Sequence, residues 1–180
     1  MRYPEGHKES VRAEILTHAA RALRRFGLSG VSVPKLMKEA GLTHGGFYVH
    51  FANRDELVAE AVVAAAERTA ASALAPDRGI EGVLDTYLSE PHVEHPEEGC
   101  VLAALGSDAR NQSPPVRKAF ARVARGFLEH VQTALGPKPK SGVSDEALRV
   151  ASRMVGAIVL ARLVDDRALA ARIVAAARRP

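Results

Sequence analysis

The chain has 180 residues, 47% of them hydrophobic and none of them tryptophan, which favours one or two alanine-rich helical domains with a real core. No run of eighteen apolar residues is present and Cys100 is the single cysteine, so a membrane-spanning helix and an internal disulfide are excluded. The net charge of +4 is uneven, because residues 1–54 carry nine Lys or Arg and only four acidic residues. Such a basic segment is typical of nucleic-acid binders, although a merely solvated basic face would look the same. The charged start lacks the apolar core of a secretory signal, so a soluble cytoplasmic protein is expected.

Helical periodicity organises the first third of the chain. Apolar residues recur there at three- and four-residue steps, with basic residues between them. Gly27 and Gly41 are expected to end the first two helices. Thr43 and Asn53 are expected to cap the next two. The pattern predicts helices over residues 7–26, 32–40, 43–50 and 54–75.

The rest of the chain is also helical in pattern, and strand alternation is nowhere convincing. Helices are predicted over 80–89, 114–135, 144–163 and 166–178, an apolar helix or turn over 100–109, and loops over 90–99 and 136–142. The fold class is therefore all-α, with about nine helices. A core of roughly 50 residues is marginal by itself. The 54–75 helix is therefore expected to join an N-terminal domain, residues 1–53, to a larger helical domain, residues 54–180.

The two short helices on either side of the Gly41-Leu42 turn form a candidate helix-turn-helix. In that motif the second helix enters the major groove with its N-terminal end toward the base edges. His44, Gly45 and Gly46 provide the small, polar start that this docking needs. Two adjacent glycines in a helix cost roughly 1 kcal/mol each relative to alanine. Close approach of the helix backbone to DNA would explain that cost.

The expected DNA contacts follow from this placement. The Thr43 hydroxyl can both cap its helix and reach a phosphate, and the side chains of Tyr48 and His50 can reach backbone or base edges. Ser32 and Lys35, on the first helix of the motif, and Arg54, at the start of the 54–75 helix, would meet phosphates. The predicted contact residues are Ser32, Lys35, Thr43, His44, Gly45, Tyr48, His50 and Arg54. A helix-turn-helix shape also occurs in all-α proteins that bind no DNA.

The segment from Val31 to Val58 reads VSVPKLMKEAGLTHGGFYVHFANRDELV. Its Gly-Leu-Thr turn, its Tyr-x-His-Phe ending and the basic-acidic-x-Leu opening of the next helix together resemble the N-terminal domain of TetR/AcrR-family transcriptional regulators. The resemblance is detailed over residues 8–60. It implies a three-helix helix-turn-helix domain on a larger helical ligand-binding domain, a homodimer that binds a palindromic double-stranded operator, and repression as the commoner mode. Family-like DNA contacts fall on Thr43, His44, Gly45, Tyr48, His50 and Arg54, where Arg54 replaces the commoner lysine.

The last two helices carry more apolar residues than one buried stripe needs. We predict that 144–163 and 166–178 form a four-helix bundle between two protomers, with core packing inside one chain as the alternative. A pocket for an uncharged, fairly apolar effector is expected among the helices between residues 54 and 135. Plain core packing is again the alternative. Candidate lining residues are Tyr87, Cys100, Leu102, Phe120, Val123, Phe127 and Met154.

Cys100 has two interpretations. It follows Gly99 at a predicted helix N-terminus, where the helix dipole lowers the pKa of a thiol. The resemblance implies that a cysteine here senses electrophiles in some family members, and a buried inert thiol is the other interpretation. The nearby segment holds metal-ligand residue types, but its prolines give no fixed ligand geometry, so no metal site and no cofactor are predicted. These residues are His92, Glu94, His95 and Glu98.

Two other classes of function remain as alternatives. An enzyme is not indicated, because the sequence contains no P-loop, HExxH motif or nucleophile elbow. The other alternative is a helical binding module whose basic N-terminus meets a protein or membrane surface. It predicts no sequence preference on DNA, while salt-dependent binding could remain. The sequence therefore predicts a DNA-binding transcriptional regulator, a repressor released from its operator by an unidentified small-molecule effector.

Overall fold

The computed structural model describes residues 6–39, 41, 43–140 and 142–179, and these residues form ten α-helices and no strand. The helices are α1 (His7–Phe26), α2 (Val33–Glu39), α3 (His44–His50), α4 (Arg54–Ser72), α5 (Gly79–Tyr87), α6 (Glu90–Glu94), α7 (Val101–Leu105), α8 (Pro114–Leu135), α9 (Asp145–Leu163) and α10 (Arg167–Arg178). Short 3₁₀ turns lie at Pro76–Arg78 and Asp108–Asn111. The all-α prediction is confirmed. Within these ranges, no helix combines the length and apolarity that crossing a bilayer needs.

Side-chain caps begin the helices where the sequence predicted them. The Thr43 hydroxyl accepts the Gly46 N–H at 3.3 Å, and the Asn53 carboxamide oxygen accepts the Glu56 N–H at 3.0 Å. Ser144 caps α9 in the same way. Each such cap stabilises its helix by about 1 kcal/mol. The ends of these helices are therefore set by local chemistry.

The prediction of a polar loop over residues 90–99 is wrong for its first half. Residues Glu90–Glu94 form α6, which Ser89 caps by accepting the His92 N–H. Pro91 lies in the first turn, where a helix needs no hydrogen bond from the missing N–H. The proline therefore begins a helix here, and the helix count rises from about nine to ten. His92 is consequently buried, at 9% exposure, and is not a solvated loop residue.

Two apolar clusters form the core. The first joins α1–α4 with α7 and the N-terminal half of α8, and the second joins α5, the C-terminal half of α8, α9 and α10. Helix α4 contacts both α1 and α8, and its buried Leu57 and Val58 belong to the first cluster. The core of the N-terminal helices is thus completed by α7 and α8, as expected if α4 is shared between the two domains. The domain boundary between residues 53 and 54 stays a prediction, and Ala40 and Leu42 lie outside the described residues.

Candidate functional site

Helix α3 is anchored on one side and exposed on the other. Phe47 and Phe51, four residues apart, are 1% and 2% exposed and stack with ring centroids 5.6 Å apart. Burying each ring contributes about 1.5–3 kcal/mol. The helical period then turns Tyr48 and Val49 outward, at 65% and 58% exposure. The four-residue spacing of the two phenylalanines predicts that both pack inward. Their burial confirms this and fixes which face of α3 meets solvent.

The two glycines of α3 are not required by packing within the chain. A Cβ built at Gly45 would meet no atom within 4 Å. At Gly46 the nearest atom would be the Thr43 hydroxyl oxygen, at 3.5 Å, which is ordinary van der Waals contact. Alanine at either position would favour the helix. The surface at the start of α3 therefore lacks side chains at these two positions, although packing among the described residues does not require it.

Arg12 of α1 holds the end of α3 against α4. Its guanidinium donates to the His50 carbonyl at 2.5 Å and to the Glu56 carboxylate at 3.3 Å, and it also bonds Glu60. The same group lies 4.2 Å from the centroid of the Phe51 ring. Local sequence reasoning missed this residue, because its partners lie 38 to 48 positions away.

The two DNA contacts predicted at the start of α2 lie beside one another. Ser32 and Lys35 are exposed, and the Ser32 hydroxyl accepts the Lys35 N–H at 3.4 Å. The Lys35 ammonium lies 4.7 Å from the centroid of the Phe26 ring, which is itself 47% exposed. Thr43 and Gly45 are exposed and His50 is half-buried, whereas the side chain of His44 lies outside the described part of the chain.

Arg54 differs from its expected role in one respect. Its guanidinium donates to the Leu28 carbonyl, in the connection between α1 and α2. Part of the group is therefore occupied inside the protein, where it fixes that connection to the start of α4. The phosphate contact predicted for Arg54 stays a prediction.

A cavity of about 430 Å³ lies between α4, α7 and α8. Four of the seven predicted pocket residues line it: Cys100, Leu102, Val123 and Phe127. The other three do not line this cavity, because Tyr87 and Met154 are fully buried in the second core cluster and Phe120 packs in the first. Sequence reasoning missed the lining on α4, including Thr69, since periodicity separates buried from exposed positions but not core from cavity.

His92 supports the cavity wall at Cys100. The Cys100 N–H donates to His92 Nε2 at 2.8 Å, and His92 Nδ1 lies 2.6 Å from the Tyr87 carbonyl oxygen. Because Nε2 accepts, Nδ1 carries the proton and donates to that carbonyl. Burial, with the nearby charges of Arg162 and Arg24, lowers the pKa of His92 to about 4, and the bond to Tyr87 offsets this only in part. The imidazole is therefore neutral at pH 7.

The same neighbourhood explains the Gly99-Cys100 step. A Cβ at Gly99 would collide with the His92 ring and lie 3.0 Å from the Arg162 guanidinium. Arg162 of α9 donates to the His92 carbonyl at 2.5 Å and to the Val93 carbonyl at 3.3 Å. Cys100 is 3% exposed and faces the cavity. The described residues contain no group of three or more His, Cys, Asp or Glu able to hold a metal.

Residues 15–61 match the family model for bacterial regulatory proteins of the tetR family. Over these residues the chain is similar to TetR-family regulators. Solved structures share the fold over nearly the whole chain. A TetR-family regulator from Agrobacterium tumefaciens has a TM-score of 0.77 at 18% identity, over 96% of this chain and 97% of that one. The reduced form of Escherichia coli NemR has a TM-score of 0.74 at 16% identity, over 93% and 95%. A TetR-family regulator from Cytophaga hutchinsonii has a TM-score of 0.75 at 18% identity, over 99% and 95%. No curated protein sequence matches the chain.

The match over residues 15–61 and the shared fold confirm the sequence-based resemblance and the division into a helix-turn-helix domain and a larger helical domain. The match supports a DNA-binding transcriptional regulator. The matched residues 15–61 include the whole of α2 and α3. The family match therefore falls on the part of the chain that carries the exposed face of α3.

The C-terminal helices of the chain leave large apolar side chains uncovered. Leu160 and Leu163 on α9 are 56% and 75% exposed, and Leu148 and Leu169 are 41% and 38% exposed. The opposite face of α9 buries Met154 and Ile158 completely. Helix α9 is thus apolar on more than one side, as the sequence predicted, and one side has no covering element in the described chain.

Proposed function

We propose that this protein is a transcriptional repressor that binds a palindromic operator as a homodimer and is released by a small-molecule effector. One observation carries the proposal: the outer start of α3 is smooth at Gly45 and open around Tyr48, on a helix fixed by buried Phe47 and Phe51. A major-groove reader needs a rigid helix whose N-terminal half can approach base edges closely. The TetR-family match over residues 15–61 supports this use of the helix.

The proposed contacts divide into two kinds. Tyr48, His44 and the backbone at Gly45 reach base edges, since they lie in the first turns of α3 or on its exposed face. The other members of the predicted set position the protein by contacting phosphates. These are Ser32, Lys35, Thr43, His50 and Arg54. The basic excess of residues 1–54 strengthens binding to any duplex, and α3 supplies the sequence preference.

Two copies pair through α9 and α10. The exposed leucines of α9 supply the apolar contact that a stable interface needs, which is typically 1,000 Å² or more of buried surface. Pairing about a two-fold axis sets two α3 helices about one DNA turn apart, so that each reads one half of the palindrome.

Effector release uses the cavity between α4, α7 and α8. A ligand there contacts α4 directly, and α4 packs against α1 of the reading domain. If the ligand binds one arrangement of α4 more tightly than another, it shifts the population toward that arrangement. The spacing between the two α3 helices then changes, and operator affinity falls by the coupling free energy.

The test is a gel shift with DNA from immediately upstream of the protein's own gene and a scrambled competitor. We expect Tyr48→Ala to lose roughly tenfold or more in affinity for the specific DNA, while size-exclusion chromatography still shows the dimer. Thr133→Ala, an exposed change on α8, serves as the matched control. Equal binding of specific and scrambled DNA by the unmodified protein contradicts the proposal and favours a non-specific binding module.

A second candidate function is supported by the position of Cys100 on the cavity wall. A thiol there can add to an activated alkene: the sulfur forms a bond to the alkene carbon β to the activating carbonyl, the double bond opens, and the thiol proton passes to the α carbon. N-ethylmaleimide should then release the operator, and Cys100→Ser should resist it. Release of the Cys100→Ser variant at the same rate contradicts thiol sensing and leaves the first proposal intact.

A further inference from the structure

The cavity continues into an open groove along the seam between α4 and α8. The groove has a volume of about 520 Å³ and shares four lining residues with the cavity: Val63, Glu67, Arg122 and Arg125. Lys118 lines the groove one turn before Arg122, so three cations stand along one face of α8. A molecule held in the cavity would therefore have its outer end beside these three side chains.

The charges around this seam are not balanced. Three acidic residues lie along it: Glu60, Glu67 and Glu129. Glu60 forms an ion pair with Arg12, and the Glu129 carboxylate lies 3.5 Å from the Lys138 ammonium. Within the described ranges, Lys118, Arg122, Arg125 and Glu67 make no ion pair. The unpaired groups along the seam are thus three cations and one carboxylate, which attract an anion into the groove.

The inner part of the cavity is apolar. Leu74, Val123 and Phe127 line it and are buried, and Leu102 lies beside them. Gly126 also faces the space, and a Cβ there would meet no atom within 4 Å. A volume of about 430 Å³ is within the range of pockets that hold small organic ligands.

We propose that this site binds an amphipathic organic carboxylate, with its apolar body against Phe127 and Gly126 and its carboxylate between Arg122 and Arg125. Guanidinium groups suit this head group because two parallel N–H donors match the two oxygens of a carboxylate. The charge of the head group departs from the uncharged effector expected from sequence. The inference rests on the proposed effector site but does not depend on DNA binding.

The test compares ligands that share a body and differ in the head group. Isothermal titration calorimetry of the full chain with decanoate, decanol and decylamine measures the preference directly, and 2-naphthoate with 2-naphthol repeats it on a ring-shaped body. We expect each acid to bind more tightly than its alcohol, and decylamine to bind least. Raising the salt concentration should weaken binding of the acids and leave the alcohols almost unchanged, because exposed charges are screened.

Variants then locate the head group. The double substitution Arg122→Gln with Arg125→Gln should lower the affinity for decanoate roughly fivefold to thirtyfold, since exposed charge pairs contribute modestly to binding. The affinity for decanol should stay the same. Arg117→Gln is the matched control, because Arg117 lies on the same helix, is exposed and donates to the Gln112 carbonyl away from the cavity. Gly126→Leu should fill the cavity and abolish binding of every ligand. Gly126→Ala controls for the effect on the helix.

Several outcomes overturn the proposal. These are no binding of either acid, equal affinity for acid and alcohol, tighter binding of the amine, or unchanged decanoate binding in the double variant. None of these results affects the gel shift with upstream DNA, which tests the proposed function separately. Conversely, decanoate binding by a protein that shows no specific gel shift would contradict the proposed function and retain the ligand site.

Discussion

The Arg24 guanidinium donates a 2.8 Å hydrogen bond to the Gly99 carbonyl, so a buried contact joins residues 75 positions apart. Arg24 lies near the end of α1 and is 4% exposed, and Gly99 precedes the cavity residue Cys100. Burial lowers the pKa of Arg24 to about 10, while Glu98 opposes the shift and Arg68 adds to it. The group still carries its charge at pH 7. This contact joins α1 to the residue that precedes Cys100 on the cavity wall.

Removing the contact should uncouple the two sites. In Arg24→Met the side chain keeps its apolar stem but loses the bond to Gly99, so movement of the cavity wall no longer acts on α1. We expect the change in operator affinity caused by decanoate to shrink by about 1 kcal/mol, within the usual range of coupling energies. Gel-shift titrations with and without decanoate measure this, and Arg25→Met is the exposed neighbour as control. If decanoate changes the operator affinity of the Arg24 variant as much as that of the unmodified protein, α4 alone would carry the coupling between the two sites.

Gly45→Ala should separate folding from DNA binding. The added Cβ meets no atom within 4 Å and alanine favours the helix, so the free energy of unfolding should rise by about 0.5–1 kcal/mol. Operator affinity should fall, because the methyl group stands between the backbone of α3 and the DNA. Urea unfolding and gel shifts measure the two effects. A more stable protein with unchanged operator affinity would show that the glycine is not a contact position.

Lys35→Gln tests a phosphate contact. Each phosphate neutralised by a protein cation contributes about −0.9 to the slope of log affinity against log salt concentration. The variant should bind specific and scrambled DNA more weakly by a similar factor, with a slope smaller in magnitude by about 0.9. Lys138→Gln, in the exposed connection after α8, removes the same charge far from α2 and should keep the original slope. An unchanged slope for Lys35→Gln would remove this residue from the interface.

The sequence predicted what local chemistry decides. The caps Thr43 and Asn53 and the inward pair Phe47 and Phe51 follow from residue type and helical period, and the structure agrees. The incorrect prediction of a loop at α6 also has a local cause. The prolines of residues 90–99 favour a loop, but a proline in the first turn, such as Pro91, is compatible with a helix.

Local sequence patterns did not predict the contacts between residues that are distant in sequence. Arg12 and Arg24 resemble the other arginines of α1 in spacing, yet one clamps α3 to α4 and the other reaches the cavity wall. Likewise, the sequence predicts that Arg54 contacts a DNA phosphate, whereas in the structure its guanidinium donates to the Leu28 carbonyl. Which of several similar side chains turns inward depends on elements distant in sequence, and only the packed structure determines it.

The His92 environment predicts a loss of stability in acid. The pKa is about 4 in the folded protein, against an ordinary value of 6.5, so the unfolded chain binds more protons between these values. Stability therefore falls as pH drops through this window, by roughly 2 kcal/mol between pH 7 and pH 5. Urea unfolding at both pH values should show this difference, and His92→Gln should remove most of it. His95→Gln is the matched control, because His95 is exposed. An equal pH dependence in the His92 variant would contradict the assignment.

Leu160→Arg should separate the protomers. Leu160 is 56% exposed on α9, so the substitution leaves the core of one chain unchanged but places a charge in the proposed interface. We expect a monomer by size-exclusion chromatography with light scattering, a helical content equal to that of the unmodified protein, and weaker operator binding because only one half-site is engaged at a time. Thr133→Arg introduces the same charge on exposed α8 and should remain dimeric. A Leu160→Arg protein that stays dimeric and binds the operator with full affinity would place the interface elsewhere. A monomer that still binds the palindrome with full affinity would show that the two α3 helices do not act as a pair.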